Sequence, residues 1–179
     1  MHKDIASVLV SQEQIEEICQ RLGKQLSNDY KGKIPLFVGL LKGCVPFMAD
    51  LAKHVDIKIE MAYMSVSSYH GTIASSGDVN IKMDLDISIK DRDVVVVEDI
   101  VDTANTLKTI TELFKHRGAS SVKIVTLLDK PEGRQHHFIP DYIGTTIPKA
   151  FVVGYGLDYN EYYRNLPYVG ILKEDVYRD

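Results

Sequence analysis

No stretch of this sequence approaches the ~20 consecutive apolar residues that a membrane helix needs, which argues against a membrane span. Positive charge is not in excess either. Lysine and arginine number 21 against 25 acids, a formal net charge of −4. Binding of nucleic acid usually needs a clustered basic surface, so nucleic acid is not an expected partner. A small anionic substrate can still be held by a few local cations and backbone amides. Cysteine is scarce: Cys19 and Cys44 are the only two. Neither belongs to a CxxC pair, and both read as reduced thiols rather than zinc ligands. The opening residues, MHKDIASVLV, lack the charged start, long apolar centre and small-residue cleavage site of a signal peptide. The cytoplasm is therefore the expected location. No Walker A loop occurs, since GxxxxGK followed by Ser or Thr is missing. Gly154-Tyr155-Gly156 opens like GxGxxG, but Tyr159 stands where the third glycine belongs, which disfavours a dinucleotide fold. Internal repeats, low-complexity segments and linkers are also missing.

What remains is an ordinary globular composition, 45% hydrophobic and 26% charged over 179 residues. That length fits a single domain, 1–179, and allows a full core. Ser11-Gln12-Glu13-Gln14 has capping-box spacing. Ile15, Ile18, Cys19, Leu22 and Leu26 follow at helical spacing, so a helix is expected that ends before Gly32. Leu36–Leu41 reads as a short buried strand, and Pro46 suits the first turn of a helix running to about His54. Residues 57–66 alternate as a strand. Segment 67–78, SSYHGTIASSGD, has no periodicity and reads as a long loop, a type that is often functional. Val79–Met83 resumes strand character. Asp84, Asp86, Asp91 and Asp93 read as a solvated connection.

Residues 94–97 are four valines, a run expected of a strand buried on both faces of a parallel sheet. A helix is expected from about Thr103, with Leu107, Ile110, Leu113 and Phe114 on one face and Gly118 as its stop. Residues 122–128 form the next strand. The tail after Phe151, dense in Tyr, Gly and Asp, fits no element. Alternating strands and helices predict an α/β fold with a doubly wound sheet and right-handed crossovers.

Residues 94–107 read VVVVEDIVDTANTL. A buried strand ends in Glu98 and Asp99, Asp102 follows, and Thr103-Ala104-Asn105-Thr106 opens a helix. Ligands of open α/β sheets bind beyond the carboxyl ends of the strands. Paired carboxylates there can accept hydrogen bonds from a sugar diol and hold a hydrated Mg²⁺. The helix N-terminus beside them is a phosphate site. A diol, a divalent cation and a phosphate within one short turn describe a ribose phosphate. Either half alone would be a plain strand end or a plain helix cap.

VVVVEDIVDTANTL resembles the phosphoribosyl pyrophosphate signature of the type I phosphoribosyltransferases. LLKGCVPFMADL (40–51), SSYHGTIASSGDV (67–79), LLDKPEGR (127–134) and FVVGYGLDYNEYYRNLPYVGIL (151–172) extend the resemblance over nearly the whole chain, to the bacterial hypoxanthine-guanine branch of that family. The resemblance implies a mainly parallel sheet flanked by helices, with a small hood formed by the terminal segments. It also implies Mg²⁺, phosphoribosyl pyrophosphate and a 6-oxopurine (hypoxanthine or guanine, with xanthine left open), and a homodimer or homotetramer. A regulator built on the same fold is the competing class. The chain has no appended DNA-binding domain and no basic run, and it keeps Asp102.

Residue by residue, the resemblance implies that Glu98 and Asp99 serve the ribose hydroxyls and the metal, with Asp158 as a further metal ligand. Asp102 becomes the general base, or a hydrogen-bond partner at the purine's five-membered ring. Thr103, Ala104, Asn105 and Thr106 hold the 5′-phosphate, although relatives often have Gly where this chain has Ala104. Lys42, Gly43 and Arg164 take the pyrophosphate, and in relatives the peptide before the lysine can be cis. Lys130 meets the 6-oxo group, Phe151 stacks on the purine, and Val152 offers its backbone. Ser68 and Tyr69 belong to a lid loop over 67–78. Outside their motifs, Lys42 and Arg164 would be surface cations, Asp158 a turn acid, and Phe151 and Val152 core residues.

Overall fold

Val94, Val95, Val96 and Val97 are fully buried, and they alternate between two separate cores. A strand points successive side chains to opposite faces, so an all-valine run requires apolar cover on both sides. The computed structural model, which describes residues 1–68, 79–134 and 137–178, supplies that cover. Its elements are β1 (Ile5–Val10), α1 (Gln12–Asp29), β2 (Leu36–Leu41), α2 (Val45–Lys53), β3 (Glu60–Ser68), β4 (Val79–Met83), β5 (Asp93–Val101), α3 (Asn105–His116), β6 (Ser121–Asp129), a 3-10 turn (Pro131–Gly133), β7 (Tyr142–Thr146), β8 (Val152–Val153), β9 (Val169–Leu172) and α4 (Glu174–Tyr177). On one face, Phe37, Val95, Val97 and Leu127 pack against Leu22 and Leu26 of α1 and Phe47 and Leu51 of α2. On the other, Val38, Val94, Val96 and Ile124 pack against Leu107, Ile110 and Phe114 of α3. Each such side chain, fully buried, contributes about 1.5–3 kcal/mol.

The main sheet has the order β4-β3-β2-β5-β6-β7. Its pairings are parallel except for β3 with β4. From β2 the chain moves outward to β3 on one side, then returns to place β5 on the other. The order therefore reverses between β2 and β5, and a crevice opens at such a switch point. A second sheet, β1-β9-β8, joins the two ends of the chain into the expected hood. Within it Ile5 pairs with Leu172 and Val10 with Val169.

The capping box at α1 forms. Gln14 N–H donates to Ser11 Oγ at 3.2 Å, and Ser11 N–H donates to Gln14 Oε1 at 2.8 Å. Cys19 and Cys44 are buried free thiols, and burial pushes the pKa of each up to about 12. Two expectations shift, and a third lies outside the described residues. The strand expected over 57–66 runs from Glu60 to Ser68, so Ser67 and Ser68 belong to a β ladder with Asn80 and Val79 rather than to a loop. Tyr69 and the rest of the expected lid, 70–78, lie outside the described residues. Finally, α3 begins at Asn105, because Ala104 has a left-handed backbone. Among the described residues, no helix is long and apolar enough to cross a membrane.

Candidate active site

Because β2 and β5 are parallel neighbours, their carboxyl ends open on the same side. A cleft of about 350 Å³ lies there, between the turn after β2 and the turn after β5. Its walls bring together Lys42 and Gly43, Glu98, Asp99 and Asp102, Thr103 to Thr106, and Asp158 and Arg164 from the tail. The Leu41–Lys42 peptide is cis. Gly43 is required by a close approach: a Cβ there would collide with the Asp99 carboxylate.

Glu98 and Asp99 form the floor. Asp99 is only 9% exposed, and Ile100 N–H donates to its Oδ1 at 2.7 Å. Burial, followed by the charge of Asp99, holds Glu98 well above the usual carboxylate range. Burial raises Asp99 too, partly offset by hydrogen bonding and by the charge of Arg164. Two adjoining, poorly solvated carboxylates favour whatever neutralises their charge, a proton or a metal cation.

Ala104 occupies the N-cap of α3 at φ 66, ψ 7, with no side-chain cap. Its smallness leaves the helix N-terminus open to the cleft, which suits an anion. An L-residue in the left-handed region carries roughly 1–2 kcal/mol of strain, and glycine would add back about 0.5–1 kcal/mol of chain entropy. Ala104→Gly should therefore raise Tm by about 1–4 °C, read by calorimetry. A lower Tm would show that the position is unstrained.

A second polar cluster adjoins the cleft. Lys130 Nζ contacts Asp102 Oδ2 at 2.9 Å, and the lysine side chain is 15% exposed. Gly133 lies so close that a Cβ would strike Asp102 Oδ1. Arg134 Nη1 donates to the carbonyls of Val101 (2.6 Å) and Asp102 (2.5 Å). Its Nε donates to Phe138 O at 3.0 Å, and its Nη2 pairs with Asp129. Lys130 thus holds the Asp102 side chain while Arg134 holds its backbone. Phe151 and Val152 do not line the cleft. They lie at β8, the edge strand of the hood, with Phe151 39% exposed and Val152 buried.

Asp158, Glu98 and Asp99 do not close on a single metal point. Among the described residues, no group of three or more His, Cys, Asp or Glu does so. Local partners hold Asp158: its Oδ1 pairs with Arg164 at 3.0 Å, and its Oδ2 accepts from Glu161 N–H at 2.9 Å. Glu161 in turn reaches Lys42 at 2.6 Å and Arg164 at 3.1 Å. This stretch is left-handed at Tyr155, Asn160, Glu161 and Tyr163. Such conformations persist where surrounding structure enforces them, and they gather at functional sites.

A model of the phosphoribosyl transferase domain matches residues 8–160. The chain belongs to the phosphoribosyltransferase family. A Streptococcus pneumoniae protein named hypoxanthine-guanine phosphoribosyltransferase is 59% identical over 99% of this chain and 98% of its own. A Lactococcus lactis protein of the same name is 57% identical over 99% and 96%. A Staphylococcus aureus hypoxanthine phosphoribosyltransferase structure superposes with a TM-score of 0.96 at 51% identity, covering 100% of this chain and 97% of that one. The fold is thus the type I phosphoribosyltransferase fold. Around this phosphoribosyltransferase cleft, the sequence reading passed over Arg134, Gly133 and Glu161. All three stood inside the quoted motifs. Their partners Asp129, Asp102 and Lys42 are visible only in the fold.

Proposed function

We propose that this chain performs purine salvage, transferring the 5-phosphoribosyl group from phosphoribosyl pyrophosphate to hypoxanthine or guanine, with release of pyrophosphate. One observation carries the reading. An adjoining acid pair with Asp99 buried, a helix N-terminus whose N-cap Ala104 makes no side-chain bond, and the Asp102–Lys130 pair meet at one switch point of the sheet. The α3 N-terminus and the Thr103 and Thr106 hydroxyls bind the 5′-phosphate, and Glu98 and Asp99 take the ribose side. Lys42, Gly43 and Arg164 receive the pyrophosphate. A purine nitrogen forms the new bond to the anomeric carbon as the bond to pyrophosphate breaks, and Asp102 accepts the proton lost from the base. Carboxylates near the ribose stabilise the positive charge that develops there.

The Glu98–Asp99 floor fits Mg²⁺, which commonly takes one or two carboxylates and completes its shell with substrate oxygens and water. When bound, the ion supplies charge neutralisation to the departing pyrophosphate. Asp158 then acts through its grip on Arg164. On this reading the enzyme works in the cytoplasm as a homodimer or homotetramer, as the likeness to the purine branch implies.

The test is product identification. Phosphoribosyl pyrophosphate and Mg²⁺ with hypoxanthine or guanine should yield IMP or GMP and pyrophosphate in equal amounts, and excess chelator should stop the reaction. No nucleotide from either base would overturn the reading, and an undiminished rate in chelator would overturn the role of Mg²⁺.

A further inference from the structure

We propose that Tyr177, in the last turn of the chain, is a positioning residue for the base: it fixes the plane of the Phe151 ring. The proposal rests on the reading of Phe151 as the residue that stacks on the purine. The two rings are stacked, with centroids 4.7 Å apart and planes 19° from parallel. Tyr159 meets Phe151 edge-on, at 5.6 Å and 85°, and approaches Tyr177 at 6.5 Å and 67°. A partly exposed phenylalanine with no neighbours would turn freely about its side-chain bonds. Here one ring face is covered by Tyr177 and one edge by Tyr159, yet the residue remains 39% exposed. The uncovered part offers the base an oriented aromatic surface.

Tyr177 is itself held in place. Leu172 N–H donates to Phe151 O at 2.9 Å, so the chain turns back over Phe151 from an anchored strand. Lys173 N–H donates to Asp4 O at 2.9 Å, and Arg178 N–H to Glu174 O at 2.9 Å, closing the α4 turn. Val176 and Tyr177 pack against the hood cluster of Ile5, Val153 and Leu172. The opposite arrangement, with Tyr177 sitting as a plug where the base belongs, would require it to leave on binding. Its anchorage in the hood favours a fixed support. The first and last strands thereby help to build the base site, although neither lines the phosphate cleft.

The test compares steady-state kinetics of native enzyme, Tyr177→Ala, Tyr177→Phe and Phe151→Leu. Tyr177→Ala should raise KM for hypoxanthine roughly 3–10-fold, the scale of one aromatic pair. Its kcat and its KM for phosphoribosyl pyrophosphate should stay within about twofold, since the phosphate cleft is untouched. Tyr177→Phe, which keeps the ring, should restore native values. In Phe151→Leu, adding Tyr177→Ala should cost little more, because the two act through one ring. A lower KM for the base in Tyr177→Ala would overturn the proposal in favour of a plug. Equal loss on both substrates would overturn it in favour of general disruption, as would no rescue by phenylalanine. If Phe151→Leu raises KM for the base and Tyr177→Ala does not, the proposal fails alone. If Phe151→Leu has no effect, the stacking role fails with it.

Discussion

Asp102→Asn should lower kcat by roughly 10²–10⁴-fold, the range for loss of a positioned general base, while KM for phosphoribosyl pyrophosphate moves little. The substitution keeps shape and still offers Lys130 Nζ an oxygen, so the 2.9 Å contact can persist. Arg134 holds the backbone of residue 102 through its carbonyl, which the change leaves intact. The capacity to take a proton is removed, together with the charge that pairs with Lys130. Asp102 is also more open than Asp99, its side chain 42% exposed against the buried Asp99 floor. An incoming base can reach it. Stopped-flow and steady-state kinetics on the folded variant check the expectation, and native turnover would remove Asp102 from the chemistry.

The site was legible in the sequence to the extent that it is local. β5, its terminal acids and the start of α3 are one continuous segment, so a buried strand, a carboxylate pair and a helix N-terminus could be recognised together. β1 escaped notice because its partner, β9, lies at the far end of the chain, with Ile5 beside Leu172. Its burial pattern, closed at both ends and open between, has no clean period of two. The tail resisted assignment for a physical reason too. It is shaped by left-handed residues and side-chain pairs such as Arg164–Asp158, and periodicity does not register these. That pair also explains why Asp158 does not join Glu98 and Asp99: a cation six residues along already occupies it. The stacking of Phe151 on Tyr177 depends on the hood being built, so no stretch of sequence announces it.

Base selection tests the central claim most directly. A 6-oxo group accepts hydrogen bonds, and a lysine ammonium carries three donors and no acceptor. One of the Lys130 donors is engaged by Asp102, leaving the others for the base. Adenine would present an amino donor to that ammonium, and a buried polar group left unpaired costs roughly 1–3 kcal/mol, more when charged. Sites built to hydrogen-bond a substrate group can reject the mismatched analogue by on the order of 10⁴–10⁵-fold. Phe151 should stack on any of these bases alike. The deciding measurement is kcat/KM for hypoxanthine, guanine and adenine in the native enzyme and in Lys130→Met. Native enzyme should use hypoxanthine and guanine and reject adenine by about that factor, and Lys130→Met should erase most of the difference. Adenine used as well as hypoxanthine by the native enzyme, or a preference that survives Lys130→Met, would contradict the account.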